Sequence, residues 1–152
     1  MSKYDYNIIV IGGGSAGLVA SYIAAAVKAK VALIEKHKMG GDCLNTGCIP
    51  SKALLRSAKM ASYAERAKEF GFKKTTIEFD FKDVMLRVQN VIKTIEPHDS
   101  RERYAGLGVD CIEGKAKITS PHSVEVNGKT LTARSIIIAT GARPMVPTIF
   151  GL

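Results

Sequence analysis

Residues 4–35 read YDYNIIVIGGGSAGLVASYIAAAVKAKVALIE, and the order of residue types in this run decides the fold. Tyr4 to Ile11 closes on a β-branched run, the pattern of a strand buried on both faces. Gly12-Gly13-Gly14-Ser15-Ala16-Gly17 follows, carrying G-x-G-x-x-G at 12, 14 and 17. The alanine-rich stretch from Leu18 to Lys28 predicts a helix. Lys30 to Ile34 predicts a second buried strand with Glu35 at its end. Alone, such a glycine triplet is equally a flexible turn; between a strand and a helix it is a dinucleotide cradle. Gly12 permits the tight turn, Gly14 lets the backbone approach a pyrophosphate, and Gly17 lets helix and strand pack closely. The free N–H groups and partial positive charge of the helix start favour phosphates. Glu35 lies 18 residues beyond Gly17, where an acidic group takes the ribose hydroxyls. The motif does not by itself separate FAD from NAD.

The next stretch, Gly40 to Leu55, reads GGDCLNTGCIPSKALL and holds two of the three cysteines, Cys43 and Cys48. In a regular helix five residues rise about 7.5 Å, beyond the roughly 7 Å Cα limit for a disulfide. If the two bridge, Asn45-Thr46-Gly47 has to turn and a helix has to start near Cys48. Asn45 and Gly47 are turn residues, and Pro50 suits a first helical turn. A thiolate at Cys48 is then favoured by the helix start, leaving Cys43, outside the helix, as the freer thiol. Redox thiols, two inert structural thiols and half of a zinc site all remain readings of this pair. Zinc would need further ligands at closer spacing than Cys111 and the scattered His37, His98 and His122 offer. Cys111 alternates within a strand-like run and reads as a small buried hydrophobe. The three histidines receive no catalytic role.

Downstream, Ser51 to about Lys68 predicts a helix and Glu69 to Glu78 a loop. Phe79 to Ile95 is strongly amphipathic, with Phe81, Val84, Met85, Val88, Val91, Ile92 and Ile95 forming a stripe expected to pack against the sheet. Asp80 is a fair N-cap, and Pro97 should end the helix before a shorter one runs to Tyr104. Strands are expected at Val109–Glu113, 114–119, 123–126, Lys129–Ala133 and Ser135–Ala139, with Asn127-Gly128 as a hairpin turn.

The whole is an α/β fold: a parallel, Rossmann-like sheet with helices and a small β-meander. The chain's 152 residues make one domain. The net charge of +8 is scattered in singles and doublets without interleaved stacking aromatics, which argues against nucleic acid. The longest apolar stretch, Leu18–Val27, is too short to span a bilayer. Neither a signal peptide nor an export pattern is visible. Three cysteines then suggest a reducing, cytoplasmic setting.

GGDCLNTGCIPSKALL resembles the redox segment of the flavin-dependent pyridine nucleotide-disulfide oxidoreductases, the family of dihydrolipoamide dehydrogenase, glutathione reductase and mercuric reductase. Gly40, Gly41, Cys43, Asn45, Gly47, Cys48, Pro50, Ser51 and Lys52 match its pattern, and Ala139, Thr140, Gly141 and Pro144 match a second motif, A-T-G-x-x-P. Asp42 stands where a threonine is common. The resemblance covers essentially the whole chain and implies a glutathione-reductase-like FAD-binding domain over residues 1–152. FAD would be held at Gly12, Gly14, Ser15, Ala16 and Gly17, with Glu35 at the adenosine ribose and Lys36, Gly41 and Asp42 among the cofactor-binding residues. Lys52 would lie close to the flavin ring, Ala116 at the adenine end, and Thr140 and Gly141 would contribute backbone contacts. Cys48 would face the flavin and Cys43 would be the interchange thiol. Electrons would pass between NAD(P)H, FAD, the disulfide and a small-molecule or protein thiol/disulfide, or a metal ion. Family members are about three times as long, so the chain is expected to be the N-terminal part of a homodimer. On that expectation the NAD(P)-binding and dimerisation domains are missing, and the isolated chain is inactive. The non-enzyme alternatives are a flavin- or nucleotide-binding module without turnover, or a dithiol metal-ion binder.

Overall fold

A computed structural model describes residues 3–143, 145–149 and 151. The matched Pro144 therefore lies outside the described residues. The elements run β1 (Tyr6–Ile11), α1 (Ser15–Ala26), β2 (Val31–Glu35), α2 (Gly41–Asn45), α3 (Cys48–Glu65), α4 (Phe81–Ile95), α5 (Arg101–Gly106), β3 (Val109–Glu113), β4 (Lys117–Ser120), β5 (Ser123–Val126) and β6 (Lys129–Ile138). Short 3₁₀ turns at Ala67–Phe70 and Glu96–Asp99 follow α3 and α4.

Six strands form one sheet in the order β3-β2-β1-β6-β5-β4. β1 pairs in parallel with β2 (Ile8 opposite Val31) and with β6 (Ile8 opposite Ser135), and β2 pairs in parallel with β3. β4, β5 and the start of β6 are antiparallel. Asn127 and Gly128 both take positive φ, 51° and 73°, as a two-residue hairpin turn requires. The two strands expected at 129–133 and 135–139 are one. Ala133 is fully buried in mid-strand, so no break separates the meander from the parallel half.

Alternate residues feed two cores. Val10, Leu18, Ala25, Val31, Leu33, Tyr104 and Val109 fill the face covered by α1 and α5; Ile9, Ile11, Ala32 and Ile34 meet Val124, Val126 and Ala133 on the other. β1 and β2 are buried on both faces, as their unbroken apolar runs require.

The α4 stripe departs from expectation. α4 packs chiefly on α3, not on the sheet. Only Val88 of the stripe is fully buried, and Phe81 is 63% exposed. The sheet faces are already taken by α1, α5 and the meander, so the helical excursion between β2 and β3 buries its apolar side on itself. The Asp80 carboxylate accepts from the Lys82 N–H at 2.8 Å, capping α4. The Arg87 guanidinium donates to the Ala53 carbonyl at 2.9 Å, tying α4 to α3.

Candidate functional site

The site is assembled at the carboxyl ends of β1, β2, β3 and β6, beside the switch between the strands flanking β1, where open α/β sheets bind ligands. β1 hands directly into the glycine loop. Gly12 has φ +109°, and a Cβ there would overlap the Ala139 carbonyl oxygen. Gly17 is buried on the first turn of α1, and a Cβ would overlap the Gly12 carbonyl oxygen. Gly14 is different: a Cβ would have only Gly41 Cα at 3.7 Å, so its bare face opens on the cleft. Gly14 caps α1, leaving the N–H groups of Ser15 and Ala16 at the helix start.

Glu35 closes one side. Its carboxylate accepts from the Gly13 N–H at 2.5 Å and from the His37 N–H at 2.8 Å. Gly40 has φ +85° and sits against the Leu44 side chain, and its N–H donates to the Gly13 carbonyl at 2.8 Å. The Asn45 amide donates to the carbonyls of Met39 (3.1 Å) and Gly41 (2.8 Å), tying the loop to α2. The cleft holds about 1160 Å³, somewhat more than the roughly 300–1,000 Å³ range for ligand pockets.

The thiols meet at a helix break. Cys43 lies in α2, a five-residue helix that sequence periodicity does not reveal, and Cys48 opens α3. Between them the Thr46 and Gly47 N–H groups both donate to the Asp42 carbonyl, at 3.0 and 2.5 Å, and fold the chain back on itself. The Asp42 carboxylate accepts from the Thr46 hydroxyl at 3.3 Å. Both cysteines are thiols. The neighbouring Cys48 thiol, with partial burial, raises the Cys43 thiol above its ordinary range, against a smaller lowering by the Lys52 charge. Exposure runs opposite to the expectation that Cys43 is the freer thiol: Cys43 is half-buried and Cys48 exposed, because α2 encloses the first cysteine.

The cleft gathers Gly12, Gly14, Ser15, Ala16, Glu35, Lys36, Gly41, Asp42, Cys43, Thr140 and Gly141. Gly17 serves the packing beneath it. Cys48 and Lys52 stand outside, exposed on the first turns of α3, and Ala116 is half-buried against the second core cluster. His37, Lys38, Asn45, Glu113 and Arg143 also line the cleft without having been singled out as ligands. For Glu113 a signal existed, since β3 ends in register with Glu35. Cys111, opposite Leu33, is half-buried, and burial raises its thiol. Among the described residues no group of three or more His, Cys, Asp and Glu is placed to hold a metal ion. No described helix is long and apolar enough to cross a membrane.

Comparison with known proteins agrees with this architecture. The family model described as pyridine nucleotide-disulphide oxidoreductase matches residues 6–152. A dihydrolipoyl dehydrogenase of Acholeplasma laidlawii is 40% identical over the whole chain and 45% of its own length. A glutathione reductase of Burkholderia cepacia is 36% identical over 99% of the chain and 33% of its own length. A mercuric reductase of Bacillus cereus is 35% identical over 99% of the chain and 24% of its own length. The chain thus spans less than half the length of these relatives. In structure, the HOCl-induced flavoprotein disulfide reductase RclA of Escherichia coli, solved as a Cu(II) complex, superposes with a TM-score of 0.74 at 29% identity, over 93% of this chain and 29% of that one. With the glycine loop, the terminal acid and the paired thiols all in place, the chain belongs to the pyridine nucleotide-disulphide oxidoreductase family.

Proposed function

We propose that this chain is the FAD-binding, dithiol-bearing part of a flavoprotein oxidoreductase, and that Cys43 and Cys48 alternate between dithiol and disulfide. The observation that carries the reading is that one cleft is lined both by the glycine loop with Glu35 and by Cys43, whose thiol is influenced by the neighbouring Cys48. The residues fit FAD. The bare face of Gly14 and the N-terminus of α1 suit a pyrophosphate, and Glu35 is already held at the loop to take ribose hydroxyls.

Closing the Cys43–Cys48 bond releases two protons and two electrons. Bound FAD supplies a two-electron acceptor for that step. The chain's own residues prepare the pair. The Cys43 thiol holds its proton more tightly than an ordinary cysteine, and Cys48 opens the 18-residue helix α3. The Lys52 charge, one turn on, acts on Cys43 in the opposite sense and lowers its thiol. The family resemblance assigns Cys48 as the thiol toward the flavin and Cys43 as the interchange thiol, whereas here Cys43 lines the cleft and Cys48 stands exposed outside it. Lys36 and the Thr140–Gly141 backbone border the cleft and are proposed FAD contacts, and Ala116 a contact at its adenine end. NAD(P)H as electron source, a homodimeric, cytoplasmic full-length protein and a thiol, disulfide or mercuric-ion substrate complete the proposal, by analogy with the relatives.

Titration of the purified protein with FAD tests it, followed by thiol counting before and after oxidation. Quenching of flavin fluorescence together with loss of two thiols per chain on oxidation is expected. A protein that retains NAD and leaves FAD fluorescence unchanged overturns the flavin assignment. A protein that binds FAD but keeps all its thiols overturns the dithiol step alone.

A further inference from the structure

A second concavity lies at the far end of α3. Met60, Tyr63 and Ala64 of the helix and Phe70, Phe72 and Ile77 beyond it line a groove of about 460 Å³. Its walls are almost wholly apolar, yet Phe70 is 55% exposed and Phe72 64%. A folded chain rarely leaves a contiguous apolar concavity of aromatic residues facing water unless something binds there.

The surrounding charge indicates what binds. Residues 56–77 carry six basic side chains and two acidic ones, so half of the chain's net charge of +8 is concentrated around this groove. Two of the cations lie on its aromatic residues: Lys59 Nζ is 5.5 Å from the Tyr63 ring centre, and the Arg66 guanidinium is 5.9 Å from that of Phe70. Arg66 is already paired with Glu69 at 2.6 Å. Lys59, Lys68, Lys73 and Lys74, neighbours in sequence of the lining residues, are all exposed and make no ion pair among the described residues.

We propose that this groove docks an acidic amphipathic segment of another protein, its apolar side chains in the groove and its carboxylates on these lysines. A concave apolar floor accepts inserted side chains, whereas a bilayer surface needs a flat or convex apolar face. Tyr63 is fifteen residues along α3 from Cys48, about 22 Å of helix, so the groove is separate from the dithiol. The proposal does not rest on the thiol chemistry.

Fluorescein-labelled peptides and the full 152-residue protein test it. The probe is a helical peptide with a leucine stripe and glutamates opposite, and the controls replace glutamate by lysine or leucine by serine. Anisotropy is expected to show salt-dependent binding of the Glu/Leu peptide, at least tenfold tighter than either control. Phe72→Ser, or Lys73→Glu with Lys74→Glu, should weaken it at least tenfold, while the circular dichroism and thiol reactivity of the variants stay unchanged. Equal binding of the lysine peptide, or variants that bind as the parent does, overturns the proposal. So does residue-dependent binding to phosphatidylserine vesicles when the Glu/Leu peptide does not bind.

Discussion

Gly14 and Gly17 belong to one motif, but alanine at the two positions should have opposite signatures. At Gly17 the added methyl would fall on the Gly12 carbonyl oxygen and lie 3.0 Å from its carbon and 3.3 Å from Val10 Cγ1. The obstacle is backbone, so no rotamer relieves it and α1 must move off β1. Overpacking of this kind costs about 1–3 kcal/mol or more. Alanine recovers at most about 1 kcal/mol of that through helix propensity. A net loss of about 2 kcal/mol, from the upper end of that range, lowers Tm by roughly 4–8 °C in a chain of this size. At Gly14, φ is −81° and the nearest atom stands at 3.7 Å, so the fold accepts the methyl within about 0.5 kcal/mol. That methyl occupies the cleft face which a pyrophosphate would approach, and a tenfold loss of FAD affinity, about 1.4 kcal/mol, is the minimum expected. Calorimetry with flavin-fluorescence titration reads both quantities. Gly14→Ala should melt with the parent and bind FAD poorly, and Gly17→Ala should fail on both counts. Should Gly14→Ala melt as early as Gly17→Ala, or bind FAD as the parent does, the division of the motif into a packing glycine and a cofactor glycine is wrong.

Three further expectations rest on single groups. Removing the partner sulfur with Cys48→Ala should bring the Cys43 thiol down toward its ordinary range, so its alkylation begins at lower pH in mass-mapped iodoacetamide profiles; an unchanged Cys43 profile would contradict the influence of Cys48 on that thiol. Burial raises the Cys111 thiol, so the folded chain holds that proton after the unfolded chain has released it near pH 8.5. Tm should therefore fall as pH rises above that value, and Cys111→Ala should flatten the slope. Ser21 is fully buried, and its hydroxyl has no hydrogen-bond partner among the described residues. Ser21→Ala should stabilise the protein by about 1 kcal/mol, with a higher Tm as the readout and an unchanged or lower one as the refutation.

What could be read from the sequence divides along physical lines. The β1-α1-β2 unit follows from residue types alone, because burial on both faces and a glycine-bound helix start each leave a local mark. α2 leaves none: five residues are too few for a helical period, and its existence rests on the Asn45 amide and the Leu44 contact with Gly40. Periodicity showed that α4 has an apolar side but not what that side meets, since helix and sheet partners present the same apolar surface. The single strand β6 was read as two because Arg134 interrupts the apolar run, yet its exposed side chain leaves the backbone pairing intact. The role of Glu113 depends on a register between strands almost eighty residues apart, which is a property of topology and not of any local pattern.

The position of β6 sets the order in which this molecule can be made. It is the last strand among the described residues, yet it sits in the middle of the sheet, with Tyr6 facing Ala133 across 126 intervening positions. Until residue 138 is available, β1 presents an apolar edge with no neighbour on that side. β1 must wait for β6, and the long stretch of chain between them has to close against its own entropy. During that interval the unpaired edge of β1 is the surface most open to misassembly, and the stage at which a growing chain most needs shielding is set by one central strand.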